Sequence, residues 1–251
     1  VLSELRKVYP ELSFLYLGDT ARVPYGTKSS TMVTRYALEA SWFLSRYPLD
    51  CLVIGCNTAS AVATLALRAA HPDLNILDVV APGAQAAVES TKNKKIAVLG
   101  TEGTIASGAY QKAIHGIDPD IEVFGVACPL FVPLAEEGLV NGKIPKLIVQ
   151  HYLQKTFKKG IDTIVLGCTH YPILKNVIQE IAGNNISIVD SAIPLAKRLK
   201  NCLTSTINKK PHLRIFTTDL PERFMRIGNR FLNNFNEYPT QVDLEEMFCH
   251  I

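Results

Sequence analysis

The chain has 251 residues, 47% of them hydrophobic and 20% charged, with a formal net charge of +3. That length is enough for one large domain or two small ones, and either can bury a real core. The small charge, with no basic run carrying interleaved aromatics, argues against a nucleic-acid partner. No apolar stretch approaches the roughly 18 residues that a membrane span needs, and no signal peptide is read at the start. Six cysteines without framework spacing fit a reducing, cytoplasmic setting.

In chain order, residues 1–9 carry a helical pattern, with Leu2, Leu5 and Val8 apolar and no strand before it. A strand over 12–17 runs into Gly18-Asp19 and a polar loop, 19–29, that includes Tyr25-Gly26. A helix over 31–46 leads to the strand Leu52-Val53-Ile54, which ends in Gly55-Cys56-Asn57-Thr58 and a helix through about residue 70. A strand over 74–80 and a helix over 82–90 follow. A fresh strand over 94–101 reads as opening a second half.

The turn after that strand, Gly100-Thr101-Glu102-Gly103-Thr104, is neither a dinucleotide fingerprint nor a P-loop. It is read either as a plain strand–helix turn or as a carboxylate site made of backbone N–H groups and the Thr101 and Thr104 hydroxyls. A strand over 121–127 runs into Cys128-Pro129 and the paired Glu136-Glu137. A helix over 143–158 leads to Ile161–Leu166, a β-branched apolar run typical of a buried parallel strand. It ends in Gly167-Cys168-Thr169-His170-Tyr171-Pro172 and a helical pattern to about Gly183, which Thr169 or His170 is expected to cap. The remaining expectations are a strand over 186–192, a helix over 194–203, a strand over 213–216, a helix over 221–233 and a loosely packed tail from 234.

The stretches 50–56 and 162–168 align residue for residue, each an apolar strand ending in Gly-Cys. This duplication predicts two similar α/β halves with mainly parallel sheets, residues 1–80 plus 191–251 and residues 81–190, with the site in the cleft between them. Each half would offer a thiol at a strand's carboxyl end, where α/β sheets bind ligands. A helix N-terminus there is expected to favour thiolate.

Four chemistries suit such a pair. A structural zinc site needs about four ligands, and Cys56, Cys168 and His170 give at most three. A redox dithiol wants C-x-x-C, which is absent. A Cys–His hydrolase would use Cys168 with His170 but leaves Cys56 unexplained. Proton transfer at a carbon centre with one base on each face uses both thiols. Two small buried cysteines at strand ends remain the plain structural alternative.

Residues 18–26, Gly55-Cys56-Asn57-Thr58-Ala59 and Gly167-Cys168-Thr169-His170-Tyr171-Pro172 together resemble the signature segments of the glutamate racemases, within the aspartate/glutamate racemase superfamily. The resemblance covers almost the whole chain. It implies cofactor-free interconversion of L- and D-glutamate, with no metal, in the bacterial cytoplasm, supplying D-glutamate for peptidoglycan. It implies that Cys56 acts on the α-proton of D-glutamate and Cys168 on that of L-glutamate, with His170 and Glu136 assisting Cys168. Tyr25, Gly26, Asn57, Thr58, Thr101, Thr104, Thr169 and His170 would hold the substrate. His170 argues for glutamate, since aspartate racemases typically carry a glutamate after that Cys-Thr. The resemblance leaves room for a homodimer.

The family pattern opens with a strand ending in Asp-Ser-Gly, which supplies substrate contacts and an acid–base helper beside the first cysteine. The sequence read here opens after that point, so weaker catalysis is expected of it as it stands. Racemisation of aspartate or another small acid, and a non-catalytic binding protein of racemase descent, are the competing functions.

Overall fold

The computed structural model describes residues 1–203, 210–232 and 236–244. The elements begin with α1 (Leu2–Val8), β1 (Phe14–Gly18), α2 (Ser30–Ser45), β2 (Cys51–Ile54), α3 (Asn57–Ala70), β3 (Asn75–Asp78) and α4 (Val80–Ser90). Next come β4 (Lys95–Gly100), α5 (Glu102–Ala106), α6 (Ala109–His115), β5 (Glu122–Ala127), α7 (Phe131–Glu137) and α8 (Lys143–Phe157). Then follow β6 (Thr163–Gly167), α9 (Lys175–Ala182), β7 (Ser187–Val189), α10 (Ala192–Leu199), β8 (Leu213–Thr217), α11 (Pro221–Leu232) and β9 (Thr240–Gln241).

Every strand pairing among the described residues is parallel. One sheet has the order β5-β4-β6-β7, with β6 buried along its whole length. Its alternating side chains feed two cores, as strand geometry requires. Ala97, Leu99, Ile164 and Leu166 face α7, α8 and α9 through Phe131, Leu134, Val149, Leu153 and Val177. Ile96, Val98 and Val165 face α4 and α6 through Val80, Ala84, Ala87 and Ile114. Covering both faces with helices is what lets the strand read as one continuous apolar run.

The other strands form two sheets, β1-β8-β9 and β2-β3. A shared apolar cluster spans them. Leu5, Ala196 and Leu199, from α1 and α10, pack with Phe14 of β1, Cys51 and Val53 of β2 and Leu77 of β3.

Two short helices go beyond what the sequence predicts, and two expectations need correction. The glycine-rich turn after β4 is a short helix, α5, capped by the Thr101 hydroxyl, which accepts the Thr104 N–H at 3.2 Å. The stretch holding Glu136 is also helical, α7, ended by Gly138 at φ 74. The pattern after Cys168 opens not as an α-helix but as a 3₁₀ turn, Tyr171–Leu174, and neither Thr169 nor His170 caps it with a side chain. Pro172 has no N–H to give the Cys168 carbonyl a helical bond, so the Tyr171 N–H takes that carbonyl at 3.1 Å.

The second correction is the tail. Residues 236–244 are not loose. The Val242 N–H bonds the Thr217 carbonyl at 2.9 Å, and Leu244 is buried beside Phe43 and Phe216. The expected tail residues 234–235 and 245–251 lie outside the described ones.

Asp162 ties the entry of β6 to that of β4. Its carboxylate accepts the Thr91 hydroxyl (2.6 Å) and the Lys92 and Asn93 N–H groups (2.6 and 2.8 Å). Partial burial alone would raise its pKa, but these bonds and that of Thr163 hold it below the ordinary 3.8. A depressed carboxylate stabilises the fold above its unfolded value, and that contribution fades as pH falls through the folded one. Asp162→Ala should therefore lower unfolding free energy by about 1–3 kcal/mol at neutral pH. The difference from wild type should close below about pH 4, read by denaturant titration. A difference undiminished in acid would contradict the assignment.

Candidate active site

Strand register sets the geometry. Gly100 of β4 is level with Ala127 of β5 and Gly167 of β6. The next residues, Thr101, Cys128 and Cys168, therefore leave one sheet edge side by side. In the other half β2 ends at Ile54, and Cys56, in extended conformation, stands at the N-cap of α3. β1 ends at Gly18, and two 3₁₀ turns, Thr20–Arg22 and Tyr25–Thr27, carry the loop onward.

The halves touch through hydroxyls and glycines. Thr58 Oγ1 lies 2.9 Å from Thr101 Oγ1 and 3.2 Å from Thr104 Oγ1, and those two are 3.0 Å apart. A Cβ added at Gly26 would come within 2.5 Å of the Thr101 Cβ. One at Gly103 would meet the Gly26 carbonyl oxygen at 3.1 Å and Thr58 Cγ2 at 3.2 Å. Glycine at these two positions is what lets the backbones approach. Beside them the Tyr25 hydroxyl donates to Asp19, and Arg22 binds both Asp19 and Glu39. Burial and Asp19 push the Tyr25 phenol up, so it stays protonated.

The two thiols have unlike surroundings. Burial pushes the half-buried Cys56 thiol up, against the pull of the Ala59 and Thr58 N–H groups and the Thr58 hydroxyl. Negative charge on Cys168 pushes it higher still. The expectation that a helix N-terminus makes Cys56 a ready thiolate is thus corrected: desolvation outweighs the α3 dipole. Cys168 is buried, with its Sγ 3.9 Å from His170 Nδ1. His170 Nε2 lies 3.4 Å from Glu136 Oε1. Burial alone would lower His170, yet Cys168 and Glu136 outweigh it and push the imidazole up to about 10. Glu136 is held low, chiefly by His170 and further by Arg223, whose Nη2 is 3.4 Å from Oε2.

Cys56, Asn57, Thr58, Tyr25, Gly26, Thr101 and Thr104 thus gather at the contact between the halves. Cys168, Thr169 and His170 are consecutive on the second half, and Glu136 joins them there through His170. Asn57 is buried, its Oδ1 accepting the Tyr110 hydroxyl at 2.7 Å, and its Nδ2 has no hydrogen-bond partner among the described residues. Sequence reading missed Tyr110, and also Arg223 and Phe231 of α11. The Phe231 ring meets the His170 ring edge-on at 5.4 Å, and Arg230 donates to the Glu136 carbonyl. A basic and an aromatic residue on one helix carry no signal of so distant a partner. Among the described residues no three of His, Cys, Asp and Glu converge as metal ligands, and no helix is long and apolar enough to cross a membrane.

Two parallel α/β halves with thiols at corresponding strand ends define the class of fold. The model of the Asp/Glu/Hydantoin racemase family matches residues 3–199, and the chain belongs to that family. It is 45% identical to the glutamate racemase of Geobacter metallireducens, over 98% of this chain and 92% of that one. Among solved structures, glutamate racemase from Francisella tularensis, in complex with D-glutamate, superposes with a TM-score of 0.90 at 33% identity. That match covers 98% of this chain and 93% of the other. The RacE1 isoform of Bacillus anthracis superposes at 0.91 with 37% identity, covering 97% and 92%.

A His raised above its unfolded value stabilises the fold while protonated, fully below about 6.5, and loses that contribution as pH rises through about 10. Glu136→Gln should bring the His170 titration down from about 10 toward the ordinary 6.5, followed by NMR of the imidazole. An unmoved midpoint would show that Glu136 does not hold that charge.

Proposed function

We propose that the chain interconverts L- and D-glutamate by cofactor-independent two-base proton transfer, with Cys56 and Cys168 as the bases. One observation carries this reading: two strand-end thiols, one from each half, flank one cleft, Cys56 at the α3 N-cap beside the Thr58–Thr101 contact and Cys168 leaving β6 level with Thr101. Residues 1–80 plus 191–251 form one side of that cleft and residues 81–190 the other. Curated relatives named glutamate racemase over nearly the full chain give the substrate. The D-glutamate formed would feed peptidoglycan synthesis.

The Asn57 Nδ2, the hydroxyls of Thr58, Thr101, Thr104 and Thr169, and the backbone of Tyr25-Gly26 hold the two carboxylates. The unpaired Nδ2 supports this, because a buried donor without a partner costs free energy until something accepts from it. From L-glutamate, Cys168 removes the α-proton as thiolate while the Cys56 thiol gives its proton to the opposite face. From D-glutamate the roles reverse. Each turnover leaves the two sulfurs with protonation exchanged, and no atom is gained or lost.

The elevated Cys56 suits its start as the thiol, and the imidazolium of His170 beside Cys168 supplies the positive charge that a thiolate needs. Glu136 keeps that imidazole charged through neutrality. His170 thereby stabilises charge on Cys168 in both directions.

Cys56→Ser and Cys168→Ser should each abolish racemisation without unfolding the chain, since serine is nearly isosteric but far less acidic. Circular dichroism starting from each enantiomer, with aspartate assayed alongside, is the measurement. Activity within about tenfold of wild type, some 1.4 kcal/mol, would show that thiol not to be a base. Equal or faster turnover of aspartate would reject glutamate as the substrate.

A further inference from the structure

Tyr110 is a buried side chain at the site to which the reaction above gives no part. It stands on α6 in the second half, 3% exposed, and its hydroxyl donates to the Oδ1 of Asn57 at 2.7 Å. Asn57 is the first residue of α3, directly after Cys56, and is 2% exposed. A single buried hydrogen bond therefore crosses from one half to the residue beside the other half's thiol.

The ring is wedged so that its hydroxyl has little freedom. A Cβ at Gly83 of α4 would lie 3.0 Å from the Tyr110 hydroxyl oxygen, and one at Gly167 would lie 3.2 Å from Cε2. Glycine at both positions makes the space the ring fills, and Gly167 immediately precedes Cys168. Burial, with Asp78, Cys168 and Asp190 around it, keeps the phenol protonated, so it acts as a donor.

A side-chain amide has one accepting and one donating end, and the two are interchangeable in shape. Here the accepting end is taken by Tyr110, which leaves the two N–H bonds of Nδ2 to point elsewhere, and none of them is matched among the described residues. Were the amide turned over, Nδ2 would donate to the phenol oxygen, and the phenol's own proton would lose its acceptor among the described residues. The Oδ1 would then face whatever carboxylate Nδ2 now awaits. Carboxylate against carbonyl oxygen is repulsive, so the sense of this amide decides whether Asn57 attracts the ligand or repels it.

We propose that Tyr110 is a positioning residue for racemisation, fixing the Asn57 amide so that Nδ2 donates to a substrate carboxylate. The inference rests on the reading of Asn57 as a substrate contact, and the test separates the two. Tyr110→Phe keeps the ring and removes only the hydroxyl. Asn57→Ala removes the amide it would orient. Racemisation is measured in both directions for each variant and for the double variant, with melting midpoints alongside.

Asn57→Ala should raise KM about tenfold or more, the effect of losing one hydrogen bond to a charged group. Tyr110→Phe should raise KM by a similar factor, and the double variant should be no worse than Asn57→Ala alone. A merely structural tyrosine would lower kcat or the active fraction and leave KM unmoved, with its cost adding to that of Asn57→Ala.

Unchanged KM in Asn57→Ala would remove the substrate contact and overturn both readings. A strong effect of Asn57→Ala beside a Tyr110→Phe within twofold of wild type, or with additive costs, overturns the positioning role alone. If Tyr110→Phe melts below the assay temperature, 4-fluorophenylalanine at position 110 replaces it, filling the space of the hydroxyl without donating. KM should then rise as expected for Tyr110→Phe, and should not rise further when Asn57→Ala is also present. A KM without that rise overturns the proposal.

Discussion

The two halves meet at Gly26, Thr58, Thr101, Gly103 and Thr104, and the geometry of the cleft depends on that contact. Three hydroxyls within 2.9–3.2 Å of one another satisfy their polar atoms across the boundary. Two absent Cβ atoms let the backbone of the Tyr25-Gly26 turn rest on the end of β4. Because Thr101 leaves β4 level with Cys168 leaving β6, fixing Thr58 against Thr101 fixes Cys56 against Cys168. Thr58 lies two residues from one thiol, so little slack separates the contact from the chemistry.

The thiols are alike in sequence and unlike in surroundings, and that asymmetry suits a reaction that needs one charged and one neutral sulfur. Cys56 stands at an α-helix N-terminus yet burial dominates, so the helix field does not by itself make a thiolate there. Cys168 lacks an α-helix at its side, because Pro172 tightens the following turn. Its neighbouring positive charge comes instead from His170, raised by Cys168 itself and by Glu136, which Arg223 steadies in turn. One half relies on the backbone and the other on a chain of side chains.

The duplicated Gly-Cys unit was legible because buried parallel strands write themselves as apolar runs and glycine marks where they stop. The parallel α/β class followed from it. The short helices α5 and α7 were not legible, since five to seven residues span under two turns and show no period. Nor was the part of α11, whose Arg223 reaches Glu136 and whose Phe231 reaches His170 only through tertiary folding. Tyr110 reads as one aromatic in an amphipathic stretch. Its importance lies in a hydrogen bond to a residue 53 positions away. The region 236–244 looked like a tail because a two-residue strand leaves no alternation to detect.

The central claim is that two separate monoprotic groups serve the two faces of the substrate. The most direct test runs racemisation in heavy water from one pure enantiomer and reads deuterium at the α-carbon by mass spectrometry at low conversion. A thiol in heavy water carries deuterium, so the group that delivers the new proton delivers the label, while the group that removed the old one keeps it away from the product. The product enantiomer should then be deuterated from the first turnover, with the recovered starting enantiomer unlabelled. Product that retains the substrate's own hydrogen, or label that enters the starting enantiomer as fast as the product, would mean that one base works both faces.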